Sequence, residues 1–195
     1  MKIDPKFVIK VAGTLTVIAL VTAALLGLVD GVTRGPIAAI EAEKTRVAMS
    51  AVAPAGSEFT DKLEIPAEAV EAAAAQGGKV MELYGVKAGG CVMKISASGS
   101  QGTIVMMVGV NVDGAVTGIS VINHSETSNI GTKITGNELL DSGIGVLDQF
   151  KGLTMPEGGL VVGGDVDAIT GATVTTKGVT KGVNGALAAV AAMQA

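Results

Sequence analysis

The sequence predicts an α+β domain with an antiparallel sheet, carried behind a single apolar N-terminal helix. Three observations point there. Residues 11–29 run without a charge, residues 79–123 form a series of short β-branched runs split by turn residues, and residues 178–193 are apolar with helical spacing.

The first run, "VAGTLTVIALVTAALLGLV", covers about 29 Å at helical rise, which matches the hydrocarbon core of a bilayer. Lys2, Lys6 and Lys10 precede it, opposed only by Asp4, so residues 1–10 are expected in the cytoplasm and residues 30–195 on the far side. A cleavable signal peptide has a shorter apolar region and a small-residue exit, and "GLVDGVTRGP" provides no such exit. Residues 30–56 read as a linker. In it a helix over 37–52 begins near Pro36 and ends before Pro54. Residues 57–195 form the expected extracytoplasmic domain.

Within that domain "KVMELYGV", "CVMKISA", "TIVMMVGVNV" and "AVTGISVI" are the candidate strands. They are separated by "KAGG", "SGSQG" and the dipeptide Asp113-Gly114, which is the best hairpin signal in the chain. Met81, Met93, Met106 and Met107 fall in these runs and are expected in the core. Residues 132–152 suggest a helix or two short helical turns, and a glycine-rich passage follows. In the last block Val179, Val183, Leu187 and Val190 share a helical face, and its glycines imply close packing against a sheet. There is no internal repeat.

Composition removes several function classes. Aromatic residues are 2% of the chain, and beyond residue 30 they are Phe59, Tyr84 and Phe150, so nucleic-acid binding by base stacking has no platform. The net charge of −4 sits on the body behind a basic N-terminus, which leaves no stripe for tracking phosphates. One cysteine, Cys91, and one histidine, His124, cannot build a zinc or iron–sulfur cluster, so no metal site is expected. Cys91 reads as a small buried residue and His124 as a structural residue at a strand end. No catalytic triad or dyad is recognisable.

The stretch "GGDVDAITGATVTTKGVTKGV" is dense in glycine and threonine where the last helix should begin. It is not a phosphate loop of the Walker type, because Thr176 stands where the second glycine is required and Gly178 follows Lys177. Two readings remain open on local physics. Threonines at a helix start can cap its free N–H groups; the same groups and the helix dipole also favour an anion. Gly171 and Ala172 would let another group approach the backbone. Lys177 and Lys181 could balance a phosphate or simply be solvated.

Residues 167–173, "DAITGAT", resemble the D-x-x-[ST]-G-A-[ST] motif at which FMN is covalently attached to bacterial redox subunits. "NHSETSNIGTKI" at 123–134 is similar to that family's H-x-E-T-P-G-L-G segment, and "LDQFKGL" at 147–153 to its Q-F-x-G element. Three motifs in order, behind a single span, resemble the RnfG/NqrC family of FMN-binding subunits. The chain's length is closer to the Rnf branch.

The resemblance implies FMN esterified through phosphate to Thr173, with Thr170, Gly171, Ala172 and Thr176 around it and Asp167 part of the modification motif. It places Glu126, Thr127, Ile130 and Gly131 against the isoalloxazine. It implies electron carriage rather than isolated catalysis, in a single-pass subunit of the inner membrane. The partners would be other Rnf membrane and Fe–S subunits, membrane lipid and a flavin transferase. The complex would couple ferredoxin:NAD electron flow to sodium or proton translocation. Ser128-Asn129 replaces the family's Pro-Gly, and Asn tolerates the left-handed backbone such a turn needs. An NqrC-like subunit or a stand-alone FMN shuttle is the alternative; an anchored scaffold without a flavin is the remote one.

Overall fold

The computed structural model describes residues 5–194 and divides into two compact units, Met1–Glu43 and Lys44–Ala195. Lys2 and Asp4, which bear on the expected orientation of the N-terminus, lie outside the described residues.

The first unit is the greater part of α1 (Pro5–Val52), a helix long and apolar enough to cross a membrane. Its hydroxyls are satisfied locally, as a lipid setting requires. Thr14, Thr16 and Thr22 each donate to the carbonyl four residues back, at 2.9 Å. Asp30 and Arg34 pair at 2.5 Å just beyond the uncharged run. The expectation of a separate linker helix is corrected, because α1 runs unbroken through Pro36. A proline inside a helix costs about 3 kcal/mol. Here the run that follows, "AAIEAEK", is made mostly of good helix formers and continues the helix beyond it.

The second unit is built on a five-stranded antiparallel meander in the order β1-β2-β3-β4-β5: Phe59–Leu63, Gly78–Val86, Cys91–Ser98, Thr103–Val110 and Val116–Asn123. The four expected strands are present within a residue or two. Asn111 closes the Asp113-Gly114 turn: its Oδ1 accepts the N–H groups of Asp113 (3.0 Å) and Ala115 (2.9 Å), and Gly114 takes φ 75°. β1 and α2 (Ala67–Ala75) were not expected. β1 is an exposed, bulged edge strand with almost no buried face to leave a period in the sequence.

The sheet separates two clusters of side chains. On one face Met93, Ile95, Ile104, Met106 and Val108 pack with Val179, Val183 and Leu187 of α4 (Thr173–Gln194) and with Ala69 and Ala73 of α2. On the other, Val92 and Met107 meet Ala48, Met49 and Val52, the last turns of α1. Met93, Met106 and Met107 are core residues as expected. Met81 is not, being 43% exposed: the β2–β3 register shifts between Val80 and Glu82 and turns the extra residue outward.

The glycines of α4 do what their spacing implies. A side chain at Gly178 would meet the Ser98 carbonyl at 2.7 Å, and one at Gly185 would meet the Gly78 Cα at 3.0 Å. The helix therefore lies on the sheet backbone to backbone. Cys91, at the start of β3, is largely covered, and burial raises its thiol pKa to about 11, which keeps it unreactive.

Candidate functional site

α4 begins at Thr173, midway through the glycine- and threonine-rich stretch and five residues earlier than its apolar spacing suggests. The cap position belongs to Ala172, whose carbonyl accepts the N–H of Thr176 at 3.0 Å. Alanine has no side-chain acceptor, so among the described residues nothing takes the N–H groups of Thr173, Val174 and Thr175. The threonines are not caps either. Thr175 donates its hydroxyl to Glu126 Oε2, and Thr176 donates back to the Ala172 carbonyl at 3.2 Å. Thr173 is exposed, and its hydroxyl has no partner among the described residues. Before it, Gly171 takes φ 84° with open space around its Cα. An uncapped helix start with an exposed hydroxyl at its first residue sets unpaired N–H donors, which favour an anion, beside an unengaged hydroxyl.

Glu126 holds this start against the sheet. The residue is buried, and its Oε1 accepts the N–H groups of Ser100 (2.9 Å) and Gln101 (3.2 Å) in the β3–β4 turn. With Oε2 on Thr175, one carboxylate ties the 124–131 loop, a hairpin turn and the first turn of α4 together. The node leaves no spare volume: a side chain at Gly99 would overlap Glu126 Oε1, and one at Gly131 would reach Glu126 Cβ at 2.6 Å. His124 completes the loop by accepting the Glu126 N–H on Nδ1 at 3.2 Å.

The loop then turns into α3 (Gly131–Thr135) around the Thr127 carbonyl, which accepts the N–H groups of Ile130, Gly131 and Thr132. Asn129 sits in the left-handed region at φ 62° and donates its N–H to Thr132 Oγ1 at 2.9 Å. The Ser-Asn variant of the turn is thus built on the conformational tolerance of asparagine.

A second amide clip holds the segment before Thr173. Gln149 accepts the Asp167 N–H at 2.7 Å and donates to the Asp167 carbonyl at 2.9 Å. It sits in a 3-10 turn, Asp148–Phe150, anchored by the fully buried Phe150. Asn137, at φ 56°, donates to Asp148 at 2.7 Å and accepts the Leu147 N–H at 2.7 Å. Between these pieces lies an open cleft of ≈ 280 Å³, walled by Ala168, Ile169 and Thr170 on one side and by Lys133 and residues 138–141 on the other.

Residues 99–188 match the FMN-binding domain family, a span that begins at the glycine beneath Glu126 and includes Thr173 and most of α4. The chain is 33% identical to the G subunit of the Na(+)-translocating ferredoxin:NAD(+) oxidoreductase complex of Acetobacterium woodii, with 94% of this chain and 92% of the relative covered. It is 31% identical to the G subunit of the ion-translocating oxidoreductase complex of Methanosarcina acetivorans, over 98% of both chains. The corresponding protein from Cereibacter sphaeroides is 30% identical over 70% of this chain and 72% of its own. The chain belongs to the family of G subunits of ion-translocating oxidoreductase complexes.

In this member of the family, the residues singled out from the sequence divide into two groups. Thr170, Gly171, Thr173, Thr127 and Ile130 are exposed, the last at 48%. Asp167 is exposed as well, with its backbone held by Gln149. Ala172, Thr176, Glu126 and Gly131 are buried and lie beneath the surface rather than on it. Lys177 is exposed one turn beyond Thr173, whereas Lys181 packs its stem at 3.4 Å from where a Gly77 side chain would be. Sequence reasoning did not find the Glu126 partner of Thr175, Gln149 as a clip, or the cleft residues Lys133 and Glu138. For Gln149 the signal was present in the Q-F-x-G likeness, but its partner lies 18 residues away.

Proposed function

We propose that this chain is the FMN-carrying electron-transfer subunit of an Rnf-type complex, with FMN joined through its phosphate to Thr173. The observation that carries the reading is the exposed Thr173 hydroxyl at an uncapped helix start, inside the region matching the FMN-binding domain family. The residues fit the group. The free N–H groups of Thr173, Val174 and Thr175 suit phosphate oxygens, and the N-terminal end of α4, roughly half a positive charge, favours the anion. Gly171 admits the approach to the backbone. Thr127 and Ile130 supply an exposed polar and apolar edge, while Glu126, Gly131, Ala172 and Thr176 hold the start of α4 in place. Bound FMN would supply the redox chemistry, and the chain supplies attachment, orientation and charge.

A covalent tether makes retention independent of pocket depth, which suits an open cleft. By likeness to the Acetobacterium relative, the complex would pass electrons between ferredoxin and NAD with translocation of sodium; a proton in its place, and nicotinamide and iron–sulfur sites on other subunits, are part of the same proposal. Residues 11–29 would span the membrane, with Lys6 and Lys10 on the cytoplasmic side and the FMN domain outside. A flavin transferase would move FMN from FAD to the Thr173 hydroxyl at the 167–173 motif, breaking the FAD pyrophosphate and releasing AMP.

The test is the intact mass of the chain made alongside a flavin transferase, with in-gel flavin fluorescence after denaturation. Wild type is expected to carry one FMN phosphodiester and to fluoresce. Thr173→Val is expected to lose essentially all of both while keeping its fold, because the hydroxyl bonds to nothing internal. Unmodified wild type, or a fully loaded Thr173→Val chain, overturns the assignment.

A further inference from the structure

The cleft beside the attachment motif holds a charge pair that attachment at Thr173 does not use. Lys133 contributes the one cation among the residues lining it, and Glu138 and Asp141 contribute carboxylates. Lys133 Nζ stands 3.8 Å from Glu138 Oε1, with side chains 39% and 53% exposed. A pair that long and wet is weakly coupled, so removing one partner leaves the other charged and in place to be tested singly.

The backbone carrying the pair is fixed. Ile134, next to Lys133, is fully buried and turns the lysine outward from α3. The Glu138 N–H bonds to the Lys133 carbonyl at 2.9 Å, and Asn137 between them is pinned to Asp148. The opposite wall is Ala168–Thr170, three residues before Thr173.

On the reading that FMN is tethered at Thr173, we infer that Lys133 and Glu138 set the redox potential of the flavin with opposite signs. Each is a positioning charge rather than a catalytic residue. A fixed cation at the cleft favours the electron-rich form of a redox group held there and raises its potential. A fixed carboxylate does the reverse. Both positions are held by backbone bonds, so the two side chains stay rooted at the cleft whatever the charge of the group it holds.

The experiment measures the midpoint potential of FMN on the full-length chain by spectroelectrochemistry, for wild type, K133Q, E138Q and the double variant. Covalent load is checked by intact mass. K133Q is expected to shift the redox equilibrium about tenfold toward the oxidised form, which is about 30 mV downward for a two-electron couple. E138Q is expected to move it upward by a smaller amount, and the double variant to fall between. Raising the salt from about 0.01 M to about 1 M, where screening is far stronger, should shrink both shifts. The FMN-free variants should unfold within about 2 °C of wild type, since an exposed pair adds little stability.

Equal covalent load with potentials unmoved, or moved the same way in both single variants, overturns the inference and leaves the FMN reading standing. So does a K133Q chain whose FMN-free form unfolds far below wild type while E138Q keeps its potential. A wild-type chain with no FMN on Thr173 overturns both together.

Discussion

The sheet and the segment from Asn123 to Ala172 are held together by different physics. In the sheet, backbone pairs with backbone along four antiparallel ladders, three of them broken by a bulge or register shift, and side chains are left free to pack. In the 123–172 segment only α3 and one 3-10 turn are regular; its backbone is bonded mostly through short turns, and side chains clip those turns to one another and to the sheet. Glu126 serves Ser100 and Gln101, Asn137 serves Leu147, Gln149 serves Asp167, Asp165 serves Val161, and Asn184 serves Leu160. The lesson is that the site stands on the second kind of structure. A region without ladders can be shaped residue by residue, but each clip is a single point of failure.

Thr173→Val, lying at the junction of the two regions, is expected to give the largest functional loss with the smallest structural one. Among stability changes, Met106→Ala should be the most costly. Met106 is fully buried beneath α4, and its truncation should destabilise by about 2–5 kcal/mol in denaturant titrations, cooperatively across the second unit.

Asn184→Ala should come next, at about 2–3 kcal/mol. It strands both the N–H and the carbonyl of Leu160, bonded now at 2.9 and 3.0 Å in a buried place. Gln149→Ala should cost about 1 kcal/mol, because its bonds to Asp167 are exposed and water can replace it. Hydrogen exchange should nonetheless quicken at the Asp167 amide while the β3–β4 amides stay protected, which separates local from global opening. If the β3–β4 amides quicken as much, the contrast between the two regions is wrong.

Asp148 should show the smallest effect and a pH signature. Lys151, at 2.6 Å, and Asn137 hold its carboxyl below the ordinary range. Its folded pKa is depressed, so its contribution is present above the unfolded value of about 3.9 and is lost as pH falls through the folded one. Asp148→Asn should therefore cost under about 1 kcal/mol at pH 7, since the pair is exposed, and less still near pH 3. Urea midpoints at the two pH values would show it.

How much of this was legible follows from the same contrast. β2 to β5 were readable because they are short β-branched runs cut by turn residues. The Asp113-Gly114 turn was readable because a positive φ demands particular residues. β1 left no such trace, since it buries almost nothing. The division of α1 at Pro36 was misread because a local helix breaker was given more weight than the strong helix formers after it. Met81 was assigned inward because a register shift at a bulge is a property of two strands, not of one. Thr173 was picked out by its motif, but its neighbours Thr175 and Thr176 could be sorted from it only once Glu126 and the Ala172 carbonyl were in place.

By itself the sequence determined the apolar helix, the antiparallel meander, the terminal helix and the position of the motif. Each rests on interactions among residues near one another in the chain, or on a burial period repeated along it. Only the tertiary structure decided which hydroxyl faces outward, what holds the loop at Glu126, and which charges share the cleft with Thr170. Those depend on contacts between residues tens of positions apart, 49 in the case of Thr175 and Glu126, and no local pattern records a distant partner.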